Sequence, residues 1–321
     1  MNDNRKDVPP NGKYHWGMAW LRIILALQVY GVHYFAGHSL RHYTWLFSLS
    51  VPTFLLMSAY LYGLQRSDKN VNGWMFLKKR FLSIACLTYP LLFVVFLWCI
   101  FQCPENINQY FVSLLAEVTF LQTIISEHLP AMGHLWFLQS ILICYFALAA
   151  ATRMSIMRKA FCTPVFVCLI FILLIGCGFI YRGILFPYIF FYLLVYYNAG
   201  TIKKYLSKKI WINLALLVVH FYLASLNYSV AFHYGIYLFY IQQLLFSIVL
   251  VCVFEYLSEK LPHGPQIVYW SSLTMSFYLV HHIFAFEWPL WSGLLITTLL
   301  SILLNEIGMK LKDISILYFV R

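Results

Sequence analysis

GMAWLRIILALQVYGVHYFAG, residues 17–37, decides how the rest of the chain is read. An apolar run of this length crosses a bilayer as a helix, yet it carries Arg22 near its start and His33 near its end, with no acid in the segment to pair either one. At about 100° per residue the separation amounts to three turns plus roughly 20°, so both side chains leave nearly the same face, about 16 Å apart along the axis. Snorkelling of Arg22 to the inner headgroups and of His33 to the outer ones would account for either residue alone. A shared face favours a common polar role inside the membrane.

Composition sets the class. Hydrophobic residues make up 62% of the 321 and charged residues 10%, more apolar surface than a soluble domain can hide. The chain reads as all-α, a polytopic membrane protein of about ten transmembrane helices. A net charge of +11 would suit nucleic acid, but its distribution among the loops argues for membrane topology instead, and no nucleic-acid partner is expected. The 8 cysteines are scattered without CxxC or Cys/His ligand spacing, so they read as small buried hydrophobes, and no metal is expected.

Hydropathy outlines spans at roughly 17–37, 44–64, 81–102, 134–152, 160–181, 184–201, 210–227, 234–256, 266–286 and 288–308. Residues 1–16, broken by Pro9-Pro10 and Asn11-Gly12, read as a cytoplasmic tail in front of a retained first span, and 309–321 as a second tail. The segment 110–126 is short and holds Glu117 centrally, so it can span, re-enter or lie at the interface. Loop charge favours the last two. With both termini cytoplasmic and 110–126 not spanning, nearly all Lys and Arg fall inside, including Lys203, Lys204, Lys208 and Lys209, while Arg41 and Arg182 fall outside. On that topology Lys78, Lys79 and Arg80 sit at the inner mouth of span three, either binding phosphates or obeying the positive-inside rule. His134 and Trp136 open span four at the external face, and His281 and His282 close span nine level with His33. Membrane-edge histidines on different helices at one depth point to a polar cavity opening outward.

Five patches, in order along the chain, resemble the integral-membrane acyltransferase-3 family. Arg22 and His33 match its Arg-x10-His signature, and SVPTFLLMSAYLYG (50–63) is similar to its FF-x-x-SGY stretch, with Ala59 where Gly is usual. FLKKRFLSI (76–84) resembles its basic motif, with Arg80 kept and Ser83 where a second arginine often stands. GHLWFL (133–138) and SFYLVHH (276–282) are similar to its later patches, and no hydrolase block is fused. The resemblance implies a multi-pass inner-membrane enzyme moving an acyl group, acetyl ahead of succinyl, from cytoplasmic acyl-CoA to a hydroxyl of an envelope glycan or lipid-linked saccharide. Coenzyme A's pantetheine arm is about as long as the distance from Arg22 to His33. On this reading Lys78, Lys79 and Arg80 hold the nucleotide phosphates, Arg22 contacts the donor deeper in the pore, and His33 takes the acceptor proton. His281 and Tyr278 orient His33 or stabilise the oxyanion, and His134, Trp136 and His282 line the acceptor side. A transporter of a glycan precursor is the alternative from another class, and an N-acyltransferase a third. No repeat between the halves and no matched pair of broken spans supports transport.

Overall fold

Backbone amides and carbonyls in lipid must be satisfied within their own segment, and the chain meets that demand with helices. The computed structural model describes residues 14–38, 41–65, 73–153, 160–161, 163, 185–230, 236–286 and 288–319. Among these residues there is no strand. The helices are α1 (Trp16–Gly37), α2 (Ser50–Gln65), α3 (Gly73–Gln102), α4 (Ile107–Val118), the single turn α5 (Gln122–Ile125), α6 (Trp136–Ala151), α7 (Leu185–Thr201), α8 (Ile210–Val230), α9 (Ile236–Leu257), α10 (Pro265–Ala285) and α11 (Leu290–Phe319).

Every expected span coincides with one of these helices except 160–181, most of which lies outside the described residues, as do residues 1–13 of the expected tail. Trp16–Gly37, Arg41–Gln65, Gly73–Gln102, Gly133–Ala151 and Leu290–Ile314 are each long and apolar enough to cross a membrane. Pro187–Leu206 with Ile210–Leu226, bent by 117° at the break between Leu206 and Ile210, make a sixth candidate. By length and composition that is five or six spans among the described residues; ten is the expectation from hydropathy.

Three boundaries differ from the hydropathy reading. The chain enters the second span as a 3-10 turn, Arg41–Phe47, and becomes α-helical only at Ser50. α3 begins at Gly73, eight residues before the expected edge, so Lys78, Lys79 and Arg80 lie inside a helix and point in different directions. α11 continues to Phe319, so the expected tail from 309 is a helical extension of the last span. Hydropathy marks where lipid ends; hydrogen bonding decides where a helix ends, and the two need not coincide.

The segment 110–126 does not span. α4 has 12 residues, about 18 Å of rise against about 30 Å of hydrocarbon, and it stops at Thr119, followed by Phe120 at φ 55°. Gly73, at the start of α3, lies against Ala149, near the end of α6, where an added Cβ would sit 3.2 Å from the Ala149 carbonyl oxygen. The two helices are therefore antiparallel neighbours, which leaves no net crossing between them.

The Arg22 helix is central: α1 packs against α2, α9 and α10. Its Leu21, Leu25, Val29 and Tyr30 are buried. Apolar burial gains little between helices already in lipid, so close backbone approach at small residues does more of the work. An added Cβ on Gly17 would collide with the Phe254 carbonyl of α9, and one on Gly63 of α2 with the Tyr196 carbonyl of α7. At the same end of the bundle the Gly17 amide donates to Ser258 Oγ at 3.0 Å and the Trp20 indole donates to the Pro262 carbonyl at 2.9 Å, fixing the start of α1.

Candidate active site

Three separate helix ends bring four imidazoles together. His33 lies in the last turns of α1, His134 in the 3-10 turn Gly133–Leu135 that leads into α6, and His281 and His282 in the last turns of α10. The His33 ring lies 4.6 Å from that of His282 and 5.0 Å from that of His281, centroid to centroid. His134 lies 4.9 Å from His281 and stacks on His282 at 4.8 Å. Phe286 closes one side, at 5.6 Å from His33 and 4.7 Å from His282. Gly37 makes room for it, since an added Cβ there would meet the Phe286 backbone at 3.2 Å.

Hydrogen bonds fix part of this arrangement. A carbonyl can only accept, so the contact of His281 Nδ1 with the Tyr278 carbonyl puts the ring proton on Nδ1 and leaves Nε2 as a bare lone pair. The Tyr278 hydroxyl donates to the His134 carbonyl and so ties α10 to the 3-10 turn that leads into α6. Its proton is taken by that carbonyl, which makes Tyr278 a positioning residue for His134. His281 Nε2 and His282 Nδ1 are buried without a hydrogen-bond partner within the protein, and the buried His134 ring lies against the Tyr278 and Leu279 backbone. A buried polar nitrogen left unpaired costs about 1–3 kcal/mol, so both nitrogens are available to a polar atom brought to the site. Among the described residues no group of His, Cys, Asp and Glu has metal-ligand geometry.

The remaining expected residues spread along the bundle. Arg22 is half-buried, and among the described residues no acid pairs with it. Arg80 turns inward, its guanidinium 4.5 Å from the Tyr62 ring and 5.6 Å from Phe76, with Nε buried and without a hydrogen-bond partner. Lys79 is exposed and Lys78 half-buried, so the three cations do not converge. Trp136 packs parallel to Tyr188 of α7 at 6.4 Å, beside the imidazoles and not among them.

A family model for the acyltransferase domain of the acyltransferase-3 type matches residues 15–306, from the turn before α1 to the middle of α11. The chain belongs to that family. No curated protein and no solved structure matches it.

The acyltransferase also contains polar groups that its motifs do not announce. Around Arg80, Tyr62, Phe76 and Tyr145 pack edge to face, Tyr145 reaches Tyr192 at 6.2 Å, and Ser58 Oγ donates to the Tyr192 hydroxyl at 3.2 Å. Tyrosines this frequent in apolar spans carry no periodic signal that separates lining from packing. Glu255, near the end of α9, lies 3.7 Å from His15 and 3.6 Å from Lys203. An acid alone in an apolar run is the signal that could have found it. The same signal marks Glu117, 1% exposed on α4, whose Oε1 accepts from the Leu129 amide at 3.1 Å. Burial pushes its carboxyl up to about 8, against the smaller opposing effect of that hydrogen bond.

Proposed function

We propose that this membrane acyltransferase takes an acyl group, acetyl in the first instance, from cytoplasmic acyl-CoA and places it on a hydroxyl of an envelope or surface polysaccharide or its lipid-linked precursor. Its setting on this reading is the cytoplasmic membrane, with both termini inside. The observation that carries the proposal is the convergence of His33, His134, His281 and His282 at one end of α1 with Arg22 about 16 Å away on the same helix. A donor that enters from one side and an acceptor that arrives from the other need one base at their meeting point and one cation along the donor's path.

The acceptor hydroxyl attacks the thioester carbonyl carbon, the C–O bond forms, and the C–S bond breaks. His33 accepts the hydroxyl proton and returns it to the departing thiolate, so the ester and free thiol are the products and no covalent acyl-enzyme is needed. His281 is the group that orients His33: with its Nδ1 proton given to the Tyr278 carbonyl, its bare Nε2 is placed beside the His33 ring to accept from one of its nitrogens during the reaction, leaving the other as the base. His134 and His282 line the acceptor side. Arg22 and Arg80 serve the donor, Arg80 through phosphate contacts that do not need Lys78 and Lys79 to converge with it.

Mass spectrometry of envelope glycans from cells with and without the gene tests the reading. Loss of an ester-linked acyl group in the deletion strain is the expected result and names donor and acceptor. An amide-linked loss would make it an N-acyltransferase. Glycan that stays acylated but accumulates on the cytoplasmic side would favour export and overturn acyl transfer to the glycan.

A further inference from the structure

We propose that Glu117 is a positioning residue that, as the neutral acid, latches the segment 118–135 over the imidazole cluster and releases it when ionised. The inference rests on the reading of that cluster as the acyl-transfer site. α4 and the loop after it are not a span, yet they are built like a lid with a buried fastener. Glu117 Oε1 accepts from Leu129, the Leu129 carbonyl accepts from Met132 at 3.0 Å, and the Met132 carbonyl accepts from Leu135 at 3.0 Å. One continuous chain of hydrogen bonds thus runs from Glu117 to either side of His134. Leu129 and Met132 are fully buried, and the Tyr89 hydroxyl of α3 holds the other end by donating to the Val118 carbonyl at 3.1 Å.

The loop touches the site directly. The Ala131 carbonyl faces the His282 ring, and the His128 ring lies over Gly133, where an added Cβ would meet it at 3.3 Å. The loop is also strained. Phe120, Ser126 and Ala131 hold φ of 55°, 60° and 61°, left-handed values that a Cβ disfavours, so the closed form depends on its fastenings. Glu117 Oε2 is buried without a hydrogen-bond partner, and so is Gln122 Nε2 on α5. The Leu129 amide is the donor the carboxyl has, and burial outweighs it as a counterweight to negative charge. The packed elements carry Lys78, Lys79, Arg80, Cys86, Tyr89 and Cys99 on α3, Cys103 and Glu105 between α3 and α4, Tyr110 on α4, and Glu127 and His128 in the loop, and among the described residues no cation pairs with Glu117.

The sign follows from linkage. The closed form keeps the proton up to about 8, whereas a solvated glutamate releases it near 4.5. Closure is therefore strongest below the solvated value and weakens about tenfold per pH unit between the two, with no further loss above them. Hydrogen exchange of the full-length protein in detergent, corrected for intrinsic rates and read on peptides covering 119–132, measures this without any substrate. In the wild type, protection is expected to fall about tenfold per unit from pH 5 to 8. Glu117→Gln keeps the acceptor oxygen and cannot ionise, so its protection should stay flat, and Glu117→Ala should be unprotected throughout. A Glu117→Gln protein with the wild-type slope, or unprotected at every pH, would overturn the latch. If the exchange behaves as expected but the wild type transfers no acyl group, the latch stands and the proposed reaction falls.

Discussion

His33 and Arg22 leave one face of α1 but are expected to fail differently when removed. His33→Ala should lower turnover by about 10²–10⁴-fold with the donor dependence nearly unchanged, the usual consequence of losing a positioned proton acceptor. Arg22→Ala should raise the donor concentration needed for half-maximal rate, because a cation far from the reacting carbon contributes binding to donor and transition state alike. Steady-state kinetics with purified protein separates them, and near-normal turnover by His33→Ala would pass the role of base to His281 or His282. Tyr278→Phe makes a third case. It removes the donor to the buried His134 carbonyl at a cost of about 1–3 kcal/mol, so the protein should melt earlier and turn over more slowly, with His134 no longer pinned to α10. Unchanged melting would show that the bond contributes nothing.

At the scale of elements, close helix contacts carry the load. Gly17 brings the start of α1 onto the Phe254 carbonyl, and Gly63 does the same for α2 and the Tyr196 carbonyl. Gly17→Leu is expected to force α1 and α9 apart, costing about 1–3 kcal/mol as overpacking and lowering the melting temperature in detergent. Because α1 also carries Arg22 and His33, activity should fall further than stability does. The same substitution at Gly200, which has open space around its Cβ, should change little and serves as the control. α4 adds side-chain hydrogen bonds to its packing on α3, from the Tyr89 hydroxyl to the Val118 carbonyl and from the Leu129 amide to Glu117.

For the whole molecule, sidedness is the quantity to measure. Reporter fusions or cysteine labelling should place Lys204 in the cytoplasm and residues 228–233 outside; an external Lys204 would reverse the donor and acceptor sides and with them the roles of Arg22 and His33. The structure supports the relative placement, since His15, Lys203 and Glu255 gather at one end of α1 and the histidines at the other. The sequence by itself determined the all-α membrane class and the shared face of Arg22 and His33, because lipid forces long apolar helical runs and helical periodicity turns spacing directly into a shared face. It also placed His33, His281 and His282 at one depth. Only the tertiary structure decided that His134 stacks on His282, that Tyr278 is committed to the His134 carbonyl, that Arg80 packs over Tyr62, and that Glu117 accepts from the Leu129 amide. Each of these depends on contacts between different segments, and in spans uniformly apolar no periodic pattern says which face meets which neighbour.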